Sequence, residues 1–413
     1  MIRKSLFLLK ILLLICYATA QDNKELQPYI DALNDKGEDP LTFILEKFEH
    51  FDLILFDDGL HNAVEPFEFY QKLIKSSEFN KKAKYIFLEA VSVNQQPALD
   101  AYFNSDTNDI KLLYPAFQND FSGTGWSYKT YFDLLQTIWI INSKLPVEDR
   151  FKVIPVNAPT YWKQIVTSTD LELFRLSLVG NDYTMYKIIL TYLENFESGL
   201  KGIFLTNTRH SYKRIRNSQN KNYWNCGTFF HLNHPQKTYS VRLHNISFSF
   251  TKKKEIDPKI PKTTQGLEKV IVNWVRMEKG LWDTAFKTVG NNPVAFDLKD
   301  TPFGEAEYIG NHMLDVANGQ TIFDAYDGLI FLAPLEVLRQ TAMADYIYTD
   351  EYKIELERRL QILYTEEQIE EILKENDVKS IREYIDNSFT FRPEVRQPLT
   401  KMIGAIDEWK IKD

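Results

Sequence analysis

The stretch Asp52-Leu53-Ile54-Leu55-Phe56-Asp57-Asp58-Gly59-Leu60-His61-Asn62-Ala63-Val64-Glu65-Pro66 decides how this chain folds. Leu53 to Phe56 are uniformly apolar and too few for a surface helix, so they read as a strand buried on both faces. Asp57-Asp58-Gly59 breaks the run. Pro66 opens an amphipathic helix to about Lys75, with proline in its favoured first-turn place. His61 therefore lies on a strand-to-helix turn, the edge of an open α/β sheet where ligands gather. Asp58 precedes the imidazole by three residues and Glu65 follows it by four. That is the minimal kit for an oriented general base, and equally a partial metal site.

The same grammar recurs outward from this stretch. Tyr85–Leu88, Val153–Val156, Ile203–Leu205 and Leu329–Leu332 are further short apolar runs. Helical patterns lie between them, notably Tyr128–Ser143 and Met185–Phe196. The alternation predicts βαβ construction and a mostly parallel sheet flanked by helices. The runs also end alike, in Asp57, Asp58 and His61, in Glu89, in Asn157, and in Thr206-Asn207-Thr208-Arg209-His210. Such groups converge if the strands are parallel neighbours.

Residues 239–250 alternate polar and apolar, which predicts a half-exposed strand paired with Trp224–Leu232. His231, His234 and His244 then fall in a surface hairpin. Lys252–Gln265 is charged and proline-containing and reads as a surface loop. From about Met343 the pattern is helical, with Ile354–Tyr364 and a second helix capped at Thr365. The expected organisation is a leader over 1–20, an α/β domain over 21–340, and a helical extension or cap over 341–413.

The leader is read from Arg3 and Lys4, the apolar stretch Leu6 to Cys16 interrupted by Lys10, and Ala18-Thr19-Ala20 before Gln21. It predicts export to a periplasmic or extracellular space. No later segment is apolar enough to cross a membrane. Without Arg3, Lys4 and Lys10 the 49 basic residues fall to 46 against 57 acidic ones, a net charge of −11. That balance argues against nucleic acid as a partner. Only Cys226 remains among the cysteines, so no internal disulfide is expected and stability rests on the core. No glycine-rich phosphate loop, Gly-x-Ser-x-Gly elbow or Cys-x-x-Cys pair is present.

These motifs resemble the erythromycin esterase-like family, within a wider superfamily of haem-uptake (ChaN-like) and TIKI/TraB-type proteins. The family pattern Gly-Glu-x-x-His-Gly, with a later Glu, is matched by Asp57-Asp58-Gly59-Leu60-His61-Asn62 and then Glu65. The family's next strand ends in a catalytic Glu, matched by Glu89. Its Arg-Asp-x-x-Met helix start is matched by Asn181-Asp182-Tyr183-Thr184-Met185, and its His-Asn-x-His strand end loosely by Thr206 to His210. Tyr326-Asp327-Gly328-Leu329-Ile330-Phe331 resembles the family's last strand, so the likeness covers roughly 45–335. Asp58 stands for the family Glu, Asp57 and Asn62 for its glycines, Asn181 for its Arg and Thr206 for its first His.

Two functions remain open. In the first, a hydrolase, His61 takes a proton from water that attacks an ester, lactone or amide, with Asp58 or Glu89 orienting the ring. Arg209 or His210 stabilises the oxyanion. Glu65, Asp182, Arg209 and Asn207 are the candidate substrate contacts. No cofactor is required, but a divalent metal on His61, Glu89 and His210 is admitted, since the TIKI branch is metal-dependent. In the second, the fold binds haem, a glycan or another exported ligand without turnover. The expected partner is a small molecule or an ester or peptide substrate, and the oligomeric state is left open. Blander roles stand beside these: a helix-start cap for His61 and Asp182, a dipole-favoured acid for Glu65, an ordinary turn for Asp58. Loss of the His61 ring should cost about 1 kcal/mol at most if it is a surface group.

Overall fold

The computed structural model describes residues 24–252, 270–308 and 316–399. The leader and most of the Lys252–Gln265 loop lie outside them. The sheet is built from β1 (Leu53–Asp57), β2 (Tyr85–Ser92), β3 (Lys152–Asn157), β4 (Gly202–Thr206) and β5 (Thr238–Leu243). β6 (Ser247–Lys252) and β7 (Val270–Val275) form a separate antiparallel ribbon. β8 (Val294–Asp297) and β9 (Gly328–Phe331) complete the sheet in the order β3-β2-β4-β1-β5-β9-β8. All its pairings are parallel except β8 against β9. The fold is therefore α/β with a mostly parallel sheet, and every apolar run read from the sequence is one of its strands.

Strand alternation sends side chains to two covered faces. Ile54 and Phe56 join Phe43, Tyr70 and Leu134 in the core beneath helices Pro40–His50, Glu65–Lys75 and Lys129–Asn142. Leu53 and Leu55 join Met185, Ile189, Cys226 and Phe230 on the other face, beneath helices Asn181–Tyr192 and Cys226–Asn233. Cys226 is buried as a free thiol. A third apolar cluster, around Trp282, Phe286, Phe303 and Phe331, closes the β8–β9 end.

One expectation is corrected. Thr238–Leu243 is no half-exposed hairpin strand but a fully buried central strand, parallel to both β1 and β9. Trp224–Leu232 does not pair with it, because Cys226–Asn233 is a helix capped by Asn225. The polar half of the alternation is buried, with Arg242 Nε and Nη1 left without a hydrogen-bond partner among the described residues. The Ser240 hydroxyl donates to the Ser211 carbonyl, and Arg242 donates to the Ser247 hydroxyl at 2.6 Å. A polar residue held in the interior leaves the same period-two signature as one facing water. His244 is likewise interior, 3.3 Å from Asp283, whereas His231 and His234 are partly buried on the helix.

Of the C-terminal helices Asp350–Leu363, Glu366–Glu375 and Ile381–Ser388, the second opens at the predicted Thr365, with a Thr365/Gln368 capping box. Tyr352, Leu356, Leu360 and Ile385 belong to the same apolar core as β1. Among the described residues no helix is long and apolar enough to cross a membrane.

Candidate active site

The first side chains are delivered by the turn after β1. Asp58 extends the pairing by donating its N–H to the Thr206 carbonyl at 3.0 Å. Gly59 then turns the chain at φ 72°, where a Cβ would also meet the Asn245 Cβ at 2.9 Å, so the turn needs glycine. His61 follows, its side chain 15% exposed, with Nδ1 3.1 Å from Asp58 Oδ2 and 3.2 Å from the Tyr131 hydroxyl. The Trp126 ring packs edge-on against the imidazole at 4.8 Å. Nε2 faces the other way, 3.8 Å from Glu89 Oε1.

Glu89 follows Leu88 on β2, where the β2–β3 register shifts. The Thr206 hydroxyl and the Asn207 N–H donate to one of its oxygens, and His210 Nε2 lies 3.2 Å from the other. His210 rides on the short helix Thr208–Ser211, whose start is capped by the Asn207 side chain. Its Nδ1 is 2.7 Å from Asp182, which also accepts the Cys226 N–H at 2.9 Å. The result is a chain of alternating acids and imidazoles: Asp58, His61, Glu89, His210, Asp182.

Burial and partners set the charges. Burial raises Asp58 to about 6 against the pull of the His61 ring. Burial also opposes the His61 cation, but Asp58 and Glu89 outweigh it and hold its pKa above the ordinary 6.5. For His210 burial is again opposed, here by Asp182 and Glu89, which push it up to about 10. Burial would raise Glu89, yet the two imidazoles and the donated hydrogen bonds hold it well below the usual carboxylate range. At neutral pH Glu89 is thus an anion fixed to a His210 cation.

His61, Glu89, Asp182, Asn207, Arg209 and His210 line one open cleft of about 590 Å³, with Asp58 buried behind the His61 ring. Glu65 is not brought there, which corrects its expected role. Its helix start faces the C-terminal segment, where the carboxylate takes the Arg339 side chain at 2.8 Å and its backbone N–H at 3.2 Å. The His61 ring is no plain surface group: it is the partner of Asp58 Oδ2, and Asp58 Oδ1 already lacks one among the described residues.

The cleft adds residues the sequence did not offer as site groups. Phe121, Trp126 and Tyr128 form an aromatic wall, and Arg175, Leu178 and Val179 stand at the mouth. Tyr131 reaches His61 from a helix 70 residues away, with no local signal. Asn157 and Asn181 also line the cleft, and both were visible, one at a strand end and one at a helix start. Among the described residues no group of three or more His, Cys, Asp or Glu is arranged to hold a metal ion.

No family model and no curated protein matches the chain. Among solved structures, its fold is similar to that of a mutant of the erythromycin esterase EreC in its open conformation. That likeness has 12% identity and a TM-score of 0.47 over 71% of this chain and 93% of that one. The fold is also similar to that of a succinoglycan biosynthesis protein, at 8% identity and a TM-score of 0.48 over 75% and 97%. A further similar fold is ChaN of Campylobacter jejuni, described for cofacial haem binding, at 15% identity and a TM-score of 0.31 over 56% and 91%. These likenesses concern the fold alone: a mostly parallel α/β sheet flanked by helices, similar to the erythromycin esterase and ChaN folds.

Proposed function

We propose that this chain is an exported hydrolase that opens an ester, lactone or amide by His61-assisted attack of water. The observation that carries the reading is the His61 ring, which has Nδ1 against buried Asp58 and Nε2 turned to the cleft. With Nδ1–H given to Asp58, the lone pair sits on Nε2, which is the arrangement of an oriented base. Water gives a proton to Nε2 as its oxygen bonds to the carbonyl carbon, and the carbonyl electron pair moves onto oxygen. Arg209, on the cleft wall, stabilises that oxyanion. On collapse the bond to the leaving oxygen or nitrogen breaks, and the leaving group takes the proton back from His61.

Asp58 stabilises the imidazolium between these events. His210 is a positioning residue in this scheme, because both its ring nitrogens face carboxylates and it acts by keeping Glu89 ionised beside His61. The test is a screen of ester, lactone and amide substrates, with and without a chelator, on the parent and on His61→Ala. Turnover that falls about a hundredfold or more in the variant is expected. Loss of activity on chelation would move the chemistry to a metal. A parent that turns over nothing but retains a ring-shaped ligand would favour binding without catalysis, for which the aromatic wall of Phe121, Trp126 and Tyr128 is the supporting feature.

A further inference from the structure

Arg175 brings to the cleft a charge that no carboxylate lining it takes up. The cleft's two carboxylates, Glu89 and Asp182, are both taken up by His210. The cations Arg175 and Arg209 line the same space. Arg175 lies in the last turn of helix Ser168–Ser177. Among the described residues it has no carboxylate partner, whereas Arg276, Arg339, Arg358 and Arg359 are all held by acids. A half-buried guanidinium without an acid, on a chain of net charge −8, marks a local reversal of sign at an opening.

The surroundings of Arg175 are apolar. Leu173, Leu176 and Val179 are large and exposed on the same segment. Leu178 and Val179 line the same cleft as Phe121, Trp126 and Tyr128. Exposed apolar groups gathered at a pocket mouth mark a contact surface more often than scattered ones do. A fork of N–H donors set among apolar side chains suits a carboxylate carried on an apolar stem.

We propose that Arg175 is a specificity residue, and that the cleft takes an amphiphilic anion: a substrate whose acyl part is an apolar or aryl chain ending in a carboxylate. The apolar chain lies between the aromatic wall and Leu178 and Val179, and the carboxylate meets Arg175. This rests on the reading of the cleft as the substrate site, but it does not require turnover.

The experiment is calorimetric titration of the full chain with two hydrolysis-inert probes, 4-phenylbutyrate and its neutral amide, at low and at moderate salt. The parent should bind the carboxylate about tenfold more tightly than the amide, with the preference shrinking as salt rises. Arg175→Gln should bring the two probes level, and Arg214→Gln, which lies outside the cleft lining, should keep the preference. Equal binding of both probes, binding of neither, or a preference that survives Arg175→Gln would overturn the proposal. So would a preference lost only in Arg209→Gln. Ester turnover by the parent is scored separately, so a failed hydrolase reading leaves this result legible.

Discussion

Replacing Glu89 with Gln keeps the shape of the side chain and removes the charge that links the two imidazoles. In the parent, His210 is raised from its ordinary 6.5 to about 10 by Asp182 and Glu89 together, against burial. Asp182 contributes the more and Glu89 the less, and taking one hydrogen-bonded partner from a buried charge costs on the order of 2 kcal/mol. The sign follows from the direction. A raised histidine contributes fully below 6.5, and its contribution is lost as pH climbs toward 10. Glu89, held low, contributes above its ordinary 4.5 and loses that contribution as pH falls below it. Glu89→Gln should therefore be less stable than the parent by about 2 kcal/mol near pH 6 to 7. The gap should narrow below pH 4. It should close as pH climbs through about 10, where His210 gives up its proton. Urea denaturation of both proteins across this range measures the gap directly. A gap that stays flat with pH would show that Gln fails by shape or hydrogen bonding alone, and the charge argument would be refuted.

In His61→Ala, the stranded Asp58 should cost about 1 to 3 kcal/mol at pH 8. Adding Asp58→Asn should restore part of the melting temperature, and identical melts of the single and double variants would contradict the coupling. If an ester is turned over, its rate should fall with acid through a midpoint above 6.5, since His61 must be neutral to act and its pKa is raised. Asp58→Asn should move that midpoint down, and a parent midpoint below 6.5 would count against His61 as the base. In Gly227→Ala the new Cβ would sit 2.5 Å from the Ser211 carbonyl oxygen. That pushes on the helix carrying His210 and should cost about 1 to 3 kcal/mol with a loss of activity. Gly180→Ala, with nothing within 4 Å, should be neutral in the same melts.

Much of the fold was legible because its signals are local. Leu53–Phe56 is apolar on every residue, which only a strand covered on both faces requires, and β1 is buried throughout. Thr365 and Gln368 announce a helix start from their own hydrogen bonds, and the capping box is there. β5 failed for the opposite reason. Ser240 and Arg242 are polar by sequence, but Ser240 is paired by Ser211, 29 residues away, and the strands that cover β5 on both sides, β1 and β9, lie outside any window that contains it.

The site divides along the same line. His61, Glu89 and Asn207 to His210 were readable because β2, β4 and β1 are adjacent and parallel, so whatever follows each strand must arrive at one edge. Register sharpens this. Thr206, Asp57 and Arg242 are level partners on β4, β1 and β5, and Thr206 reaches sideways to Glu89, so the strand ends form a continuous polar ledge. What stood outside the ledge was invisible. Tyr131, Trp126 and Arg175 approach from helices and loops packed over the edge, and their types alone are ordinary for a core or a surface. Glu65 misled in reverse. It has the right spacing from His61, but a residue in the first turn of a helix points where the helix faces, and that helix faces Arg339. Spacing near a strand end therefore predicts convergence only while the backbone is still running off the sheet. Beyond the helix start, the facing of the helix decides.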